Sequence, residues 1–209
     1  MLESGPMKAI AGILALQGDY EKHRSSLKRL GLRTRYVREA ADLEDLAMIV
    51  LPGGESTTMS LLLDTTGLRE PLSLAIGFGL PTLATCAGAI LLARELRGDS
   101  GSRKVQTLGL LDATLDRNSY GRQLDSFQTE VEIDWAALGV DDAKPQLPAW
   151  FIRAPRILDP AAGVQVVAQH AGEIVGVRQA NILAVTFHPE LSRDSRLHAA
   201  VLGFGAVRS

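Results

Sequence analysis

Apolar positions in the first half of the chain fall into short solid runs separated by amphipathic stretches. Residues 9–16 are almost continuously apolar, the pattern of a strand buried on both faces. Gln17-Gly18-Asp19 interrupts the run. Residues 20–30 then set Leu27 and Leu30 among charges and end at Gly31, where a helix C-cap belongs. Residues 32–37 alternate as a second strand, and 47–51 make a third, stopped by Pro52-Gly53-Gly54. Residues 56–63 and 71–78 read as helices, 81–85 as a fourth strand, and 87–96 as a helix with small residues at its start. Strand–helix alternation of this kind predicts βαβ units around a mainly parallel sheet.

Beyond Gly98 the texture changes. Residues 105–115, 126–133, 164–169, 174–177 and 182–187 read as strands divided by Gly, Asp and Pro turns, and 195–202 as a closing helix. The stretch 141–148, with two prolines, reads as an exposed loop. With no repeat and no low-complexity tract, the pattern predicts one α/β domain over residues 8–209, with a small antiparallel appendage. Residues 1–7 form an N-terminal extension.

Composition narrows the function. The 209 residues are 46% apolar and 22% charged, which excludes disorder, collagen and coiled coil as descriptions of the whole chain. A net charge of −2 without a run of one sign argues against binding nucleic acid or a membrane surface through bulk electrostatics. The single cysteine, Cys86, excludes an internal disulfide and a Cys-rich metal site, and no two of the four histidines share a ligand-like spacing. Neither a metal nor a cofactor is expected. No apolar run reaches the ~20 residues that span a bilayer. The opening Met1-Leu2-Glu3-Ser4-Gly5-Pro6-Met7-Lys8 lacks a signal-peptide layout, so the expected location is the cytoplasm, with Met7 an alternative start.

Cys86 lies in Thr82-Leu83-Ala84-Thr85-Cys86-Ala87-Gly88, where an apolar strand meets a helix of small residues. A nucleophile at such a turn gains the helix N-terminus, which favours the thiolate, and free backbone amides that can hold an oxyanion. On this segment alone, the commoner reading is a buried small hydrophobe. Phe187-His188-Pro189-Glu190-Leu191 follows an apolar strand, and in extended chain His188 and Glu190 would face the same way. A carboxylate there can hold one imidazole nitrogen and leave the other to take a thiol proton, although His-x-Glu by itself is a weak signal.

Three further runs look dedicated. Leu51-Pro52-Gly53-Gly54-Glu55-Ser56-Thr57-Thr58 ends a strand and opens a helix, with glycines that let backbone amides approach a ligand; a plain turn with a Ser or Thr cap is the alternative. Arg117-Asn118-Ser119-Tyr120-Gly121-Arg122-Gln123 carries two cations and two amides, suited to a carboxylate or to a solvated turn. Phe151-Ile152-Arg153-Ala154-Pro155 sets an arginine between apolar residues, for a ligand or for a structural ion pair. His170 reads as structural or exposed, while His23 and His198 sit on expected helices with no visible partner.

Together with Leu14-Ala15-Leu16-Gln17-Gly18, these runs resemble the glutaminase subunits of pyridoxal 5′-phosphate synthase, a branch of the triad-type (class I) glutamine amidotransferases. The resemblance covers nearly the whole chain. It departs at Ala84, where glycine often precedes Thr-Cys, and at Gln128, where glutamate is frequent. It implies a flavodoxin-like three-layer fold and a Cys86–His188–Glu190 triad. Glutamine contacts would come from Gly54, Glu55, Ser56, Arg117, Ile152 and Arg153, and the oxyanion hole from amides of Gly54 and Ala87. Gln17 and Gly18 would respond to the docking of a synthase partner. The implied activity is hydrolysis of L-glutamine to glutamate and ammonia for vitamin B6 synthesis. The implied partner is a (β/α)8-barrel subunit forming a large ring with glutaminases on its periphery, twelve of each. Rival readings are the glutaminase of another synthase, a free γ-glutamyl hydrolase, or a non-catalytic module on the same fold.

Overall fold

The central strands are buried at nearly every position, and because successive side chains face opposite ways each strand feeds two hydrophobic layers. The computed structural model describes residues 9–98, 104–117, 126–141 and 144–204. In chain order, β1 (Ile10–Leu14), α1 (Tyr20–Arg29), β2 (Arg33–Val37) and β3 (Leu46–Leu51) are followed by α2 (Ser56–Thr65) and α3 (Arg69–Gly77). Next come β4 (Thr82–Thr85), α4 (Ala87–Leu92), β5 (Ala93–Arg97), β6 (Leu111–Asp116), β7 (Phe127–Ile133), β8 (Gln146–Phe151) and β9 (Arg156–Leu158). The chain ends with β10 (Gln165–His170), β11 (Glu173–Gln179), β12 (Ile182–Val185) and α5 (Arg196–Gly203).

Nine strands form one sheet in the order β2-β1-β3-β4-β12-β11-β10-β7-β8. The first five are parallel, and the remaining four add antiparallel to the far edge. A small second sheet, β5-β6-β9, is not hydrogen-bonded into it strand to strand but packs beside β11, where Gln179 bonds Asp112 of β6. On one face, Leu14, Ile49, Leu51, Ala84 and Ala184 pack with Met59 and Leu63 of α2, Leu72 and Ile76 of α3, and the whole of α4. On the other, Ala11, Ile13, Met48, Val50, Leu83 and Val185 pack with Leu27 of α1 and with Leu197, Ala200 and Val201 of α5. The result is the helix–sheet–helix layering expected from the resemblance.

Three expectations are corrected. The helix over 87–96 stops at Leu92, because Ala93 leaves helical backbone (φ −54, ψ 143) and 93–97 pairs with β6 instead. Helix-favouring Ala-Arg-Glu-Leu-Arg is overridden by a tertiary partner. The strand over 105–115 shrinks to β6, since Gly109 turns the chain at φ +66 while Leu108 and Leu110 donate to carbonyls of Leu91 and Leu92. The loop over 141–148 contains the start of β8. Pro148 is tolerated there because β8 is an edge strand with one side unpaired. The extension at residues 1–7 lies outside the described residues.

Candidate active site

Because β3, β4 and β12 are adjacent and parallel, their C-terminal ends deliver three loops to one place. β4 delivers Cys86, held by its N–H to the carbonyl of Val185, 2.9 Å away. Cys86 adopts φ 48, ψ −105 between strand and helix, a conformation that L residues rarely occupy and that costs about 1–3 kcal/mol. The close seating of α4 on β3 requires Gly88, whose Cβ would stand 2.1 Å from the Leu51 carbonyl oxygen. Cys86 is nearly buried, with its sulfur 4.0 Å from the carbonyl of Ile152.

β12 delivers His188, whose N–H donates to the Trp150 carbonyl at 2.9 Å. The extended backbone expected over 188–190 is not what brings its carboxylate alongside. Pro189 opens a one-turn 3-10 helix, and this turn curls Glu190 back onto the ring. His188 Nδ1 donates to Glu190 Oε1 at 2.7 Å, with the Glu190 side chain fully shielded. An ionised carboxylate only accepts, so the proton sits on Nδ1 and Nε2 is left for the thiol. Nε2 is buried and, among the described residues, has no hydrogen-bond partner. Burial alone would pull His188 down, but the neighbouring Cys86 thiol and the bonded Glu190 carboxylate outweigh it and hold the ring up at about 10. Burial likewise opposes ionisation of Glu190. Electrostatic attraction to His23 and hydrogen bonds from His188 and His23 win, holding the carboxyl well below its ordinary range.

β3 delivers the glycine loop. Gly53 lies against the pair, since a Cβ there would meet His188 Cε1 at 2.3 Å and Cys86 Cβ at 3.3 Å. Gly54 faces the segment after β1, and its Cβ would meet Gln17 Oε1 at 2.3 Å and Gly18 Cα at 3.0 Å. Gln17 Oε1 accepts from the Glu55 N–H at 2.7 Å, and Asp19 N–H donates to the Gly53 carbonyl at 3.3 Å, so residues 17–19 strap the loop down. The cap of α2 is Glu55 rather than a Ser or Thr. Its carboxylate accepts from the N–H of Thr57 at 3.1 Å and of Thr58 at 2.6 Å. Ser56 is buried at the start of that helix.

Arg117 reaches the same helix, 3.0 Å from Thr57 Oγ1 and 3.8 Å from Glu55 Oε1. Residues 118–123 of its run lie outside the described residues. Ile152 and Arg153 are exposed at the rim, so the Arg153 charge stays in water and carries no burial cost; its backbone is left-handed at φ 45. Ala87 is buried at the first position of α4, beside Cys86. The departures sit apart from this chemistry, with Ala84 in the core and Gln128 paired with Trp150 across β7 and β8.

Two histidines left without partners in the sequence turn out to join the site. His23 on α1 faces Glu190 with Nε2 3.4 Å from Oε2, and its Nδ1 is 3.0 Å from Nε2 of His198 on α5. Positions 175 residues apart on separate helices share no local pattern that could have paired them. His170 is half-buried beside Phe127 and Phe151. Among the described residues no group of three His, Cys, Asp or Glu is placed to hold a metal, and no helix is long and apolar enough to cross a membrane.

A cysteine at a strained strand–helix turn, an imidazole with one nitrogen free, and a carboxylate on the other have the geometry that thiol nucleophilic chemistry with a base and an orienting acid requires. Known proteins are similar to this chain along nearly its full length. The pyridoxal 5′-phosphate synthase subunit PdxT of Cutibacterium acnes is 46% identical over 199 residues, covering 92% of this chain and 94% of its own. The subunit of the same name from Corynebacterium glutamicum (strain R) is 47% identical over 202 residues, covering 96% and 98%. A crystal structure of a glutamine amidotransferase superposes with a TM-score of 0.83 at 39% identity, over 94% of this chain and 99% of that one. PurLQS from Thermotoga maritima, at 17% identity and a TM-score of 0.73, shares the fold alone. The model of the SNO glutamine amidotransferase family matches residues 13–202, and the chain belongs to that family.

Proposed function

We propose that this chain is the glutaminase subunit of a pyridoxal 5′-phosphate synthase, a single catalytic domain over residues 8–209 working in the cytoplasm. The observation that carries the reading is the unpartnered Nε2 of His188 beside Cys86, with Nδ1 committed to Glu190. His188 takes the thiol proton, and the Cys86 thiolate attacks the side-chain amide carbon of L-glutamine. The resulting oxyanion is held by the amides of Gly54 and Ala87. The imidazolium returns its proton to the leaving nitrogen, the C–N bond breaks, and ammonia departs from a γ-glutamyl thioester. Water, deprotonated by His188, then adds to the thioester, expelling the thiolate and releasing glutamate.

Gly54, Glu55, Ser56, Arg117, Ile152 and Arg153 border the place where the substrate sits. Arg117 and Arg153 supply charge for its α-carboxylate, while the Glu55 side chain acts by capping α2 and aligning the loop. Ammonia is largely protonated at neutral pH and then no longer nucleophilic, so its use calls for direct transfer to a synthase. That partner is a (β/α)8-barrel subunit in a ring carrying twelve copies of each chain, and the strap at Gln17 and Gly18, bordering the oxyanion hole, responds to its docking.

Ammonia release from glutamine, measured with and without the barrel subunit, tests the reading. Turnover should rise when the partner is added, and Cys86→Ala should abolish it while leaving the complex intact. Turnover that is equal without any partner would indicate a free γ-glutamyl hydrolase, and activity surviving Cys86→Ala would remove the nucleophile.

A further inference from the structure

Glu190 commits one carboxylate oxygen to His188. Its other oxygen, Oε2, is buried and has no closer partner than Nε2 of His23, 3.4 Å away, with both side chains fully shielded from solvent. Held ionised, the carboxylate can only accept, so Nε2 of His23 carries a proton. Thr85 Oγ1, 3.3 Å from the same nitrogen, flanks that contact. The far nitrogen of His23, Nδ1, lies 3.0 Å from Nε2 of His198, whose own Nδ1 is buried without a partner among the described residues. An orphaned buried N–H is a rarer defect than a bare acceptor, which puts the His198 proton on Nε2, aimed at His23.

We propose that His23, backed by His198, is a positioning residue that fixes the second oxygen of Glu190 and through it the orientation of His188. This rests on the glutaminase reading above. The contacts converge on Glu190: His188 Nδ1–H donates to Oε1 at 2.7 Å, while on the other side His198 Nε2–H donates to His23 Nδ1 and His23 Nε2–H faces Oε2 across 3.4 Å. Without His23, Glu190 is a carboxylate anchored at one oxygen, free to turn about its terminal torsion, which is broad for such side chains.

A long contact in the ligand-free enzyme does not weigh against the role, since catalytic hydrogen bonds often tighten only in the complex. Charge around the pair favours a neutral outer ring. Burial pushes His198 down to about 3, with any positive charge on His23 and that on Arg29 of α1 acting in the same direction and Glu190 and Asp194 opposing. The helix that carries His23 begins directly after the 17–19 strap. One rigid element therefore supports both the loop proposed to hold the oxyanion and the carboxylate proposed to orient the base.

The test uses the chain assembled with its barrel synthase. His23→Leu keeps approximate volume and loses the donor, while His23→Gln places an amide N–H where Nε2–H stood. Losing a hydrogen bond to a charged group is expected to lower kcat about 10- to 100-fold, with KM for glutamine within about twofold. The pH at which His188 loses its ring proton, held up in the parent by Cys86 and Glu190, should move down when followed by ¹⁵N resonances. His23→Gln should recover most of both.

Full activity in His23→Leu overturns the proposal. So does a lowered kcat with the His188 titration unmoved, or a glutamine variant no better than leucine, because either would mean packing alone. If His23→Leu does not fold, the unmodified protein still decides the matter. Its His23 ring should show a protonated Nε2 and an unprotonated Nδ1, and the opposite tautomer overturns the assignment. Failure of the parent complex to release ammonia would defeat the glutaminase reading instead, and the tautomer measurement would still judge the positioning role.

Discussion

A single methyl group on Gly53 probes how tightly the reacting pair is held. A Cβ at this position would stand 2.3 Å from Cε1 and 3.0 Å from Nδ1 of His188, and 3.3 Å from Cβ of Cys86. Carbon atoms in ordinary contact lie about 3.5–4.0 Å apart, so in Gly53→Ala the imidazole must retreat by about 1 Å. Its retreat is blocked from behind, because Nδ1 is bonded to Glu190, itself buried against His23. The strain therefore falls on the His188–Cys86 geometry, where a displacement of that size costs about 10²-fold in rate. Overpacking costs about 1–3 kcal/mol, which a fold of ordinary stability survives. A coupled assay of ammonia release in the presence of the synthase partner should show kcat reduced about a hundredfold, KM for glutamine changed little, and Tm a few degrees lower. A kcat within threefold of the parent would refute the proposed packing of base against nucleophile. Gly77→Ala supplies the control. Its Cβ meets nothing within 4 Å, so the rate should hold while stability rises by about 0.4–1 kcal/mol.

Other perturbations address separate parts of the site. Arg117→Ala should raise KM for glutamine about tenfold or more with a smaller effect on kcat, as expected for a lost charged contact to substrate; an unchanged KM in initial-rate measurements would remove Arg117 from the substrate's surroundings. Glu55→Ala strips the cap of α2 and should cost about 0.5–2 kcal/mol in thermal or urea melts, and an unaltered melt would contradict its capping role. In pH dependence, His188 sits at about 10 against an ordinary 6.5, so its stabilisation is complete below pH 6.5 and is lost as pH rises through 10. His198 behaves oppositely. Held near 3, it binds a proton more readily in the unfolded chain, so stability falls as pH drops from 6.5 towards 3. His198→Gln should flatten that acid-side slope by up to about 1.4 kcal/mol per pH unit, and urea midpoints at pH 4, 5 and 6 that track the parent would disprove it.

What the sequence reveals and what it hides divide along the range of the interactions involved. Strands β1, β3 and β4 were legible as solid apolar runs because a strand covered on both faces needs no polar positions. The turn at Cys86 was legible because a strand, a nucleophile and two small residues are contiguous. Glu190 was visible for a reason that proved incomplete, since a proline-led 3-10 turn, not extended backbone, brings it to His188. The misread segments are those whose state is set by distant partners. Residues 93–97 favour helix locally and become β5 only because β6 lies beside them, and Pro148 enters a strand only because that strand ends the sheet. His23 and His198 are the extreme case, being unremarkable residues on two amphipathic helices. They meet only because α1 and α5 cover the same face of the sheet, beneath the ends of β4 and β12. A catalytic group at the end of a buried parallel strand announces itself through the strand. A group that supports it from the helix layer carries no such local mark, and so the second layer of this site becomes visible only once the helices are docked.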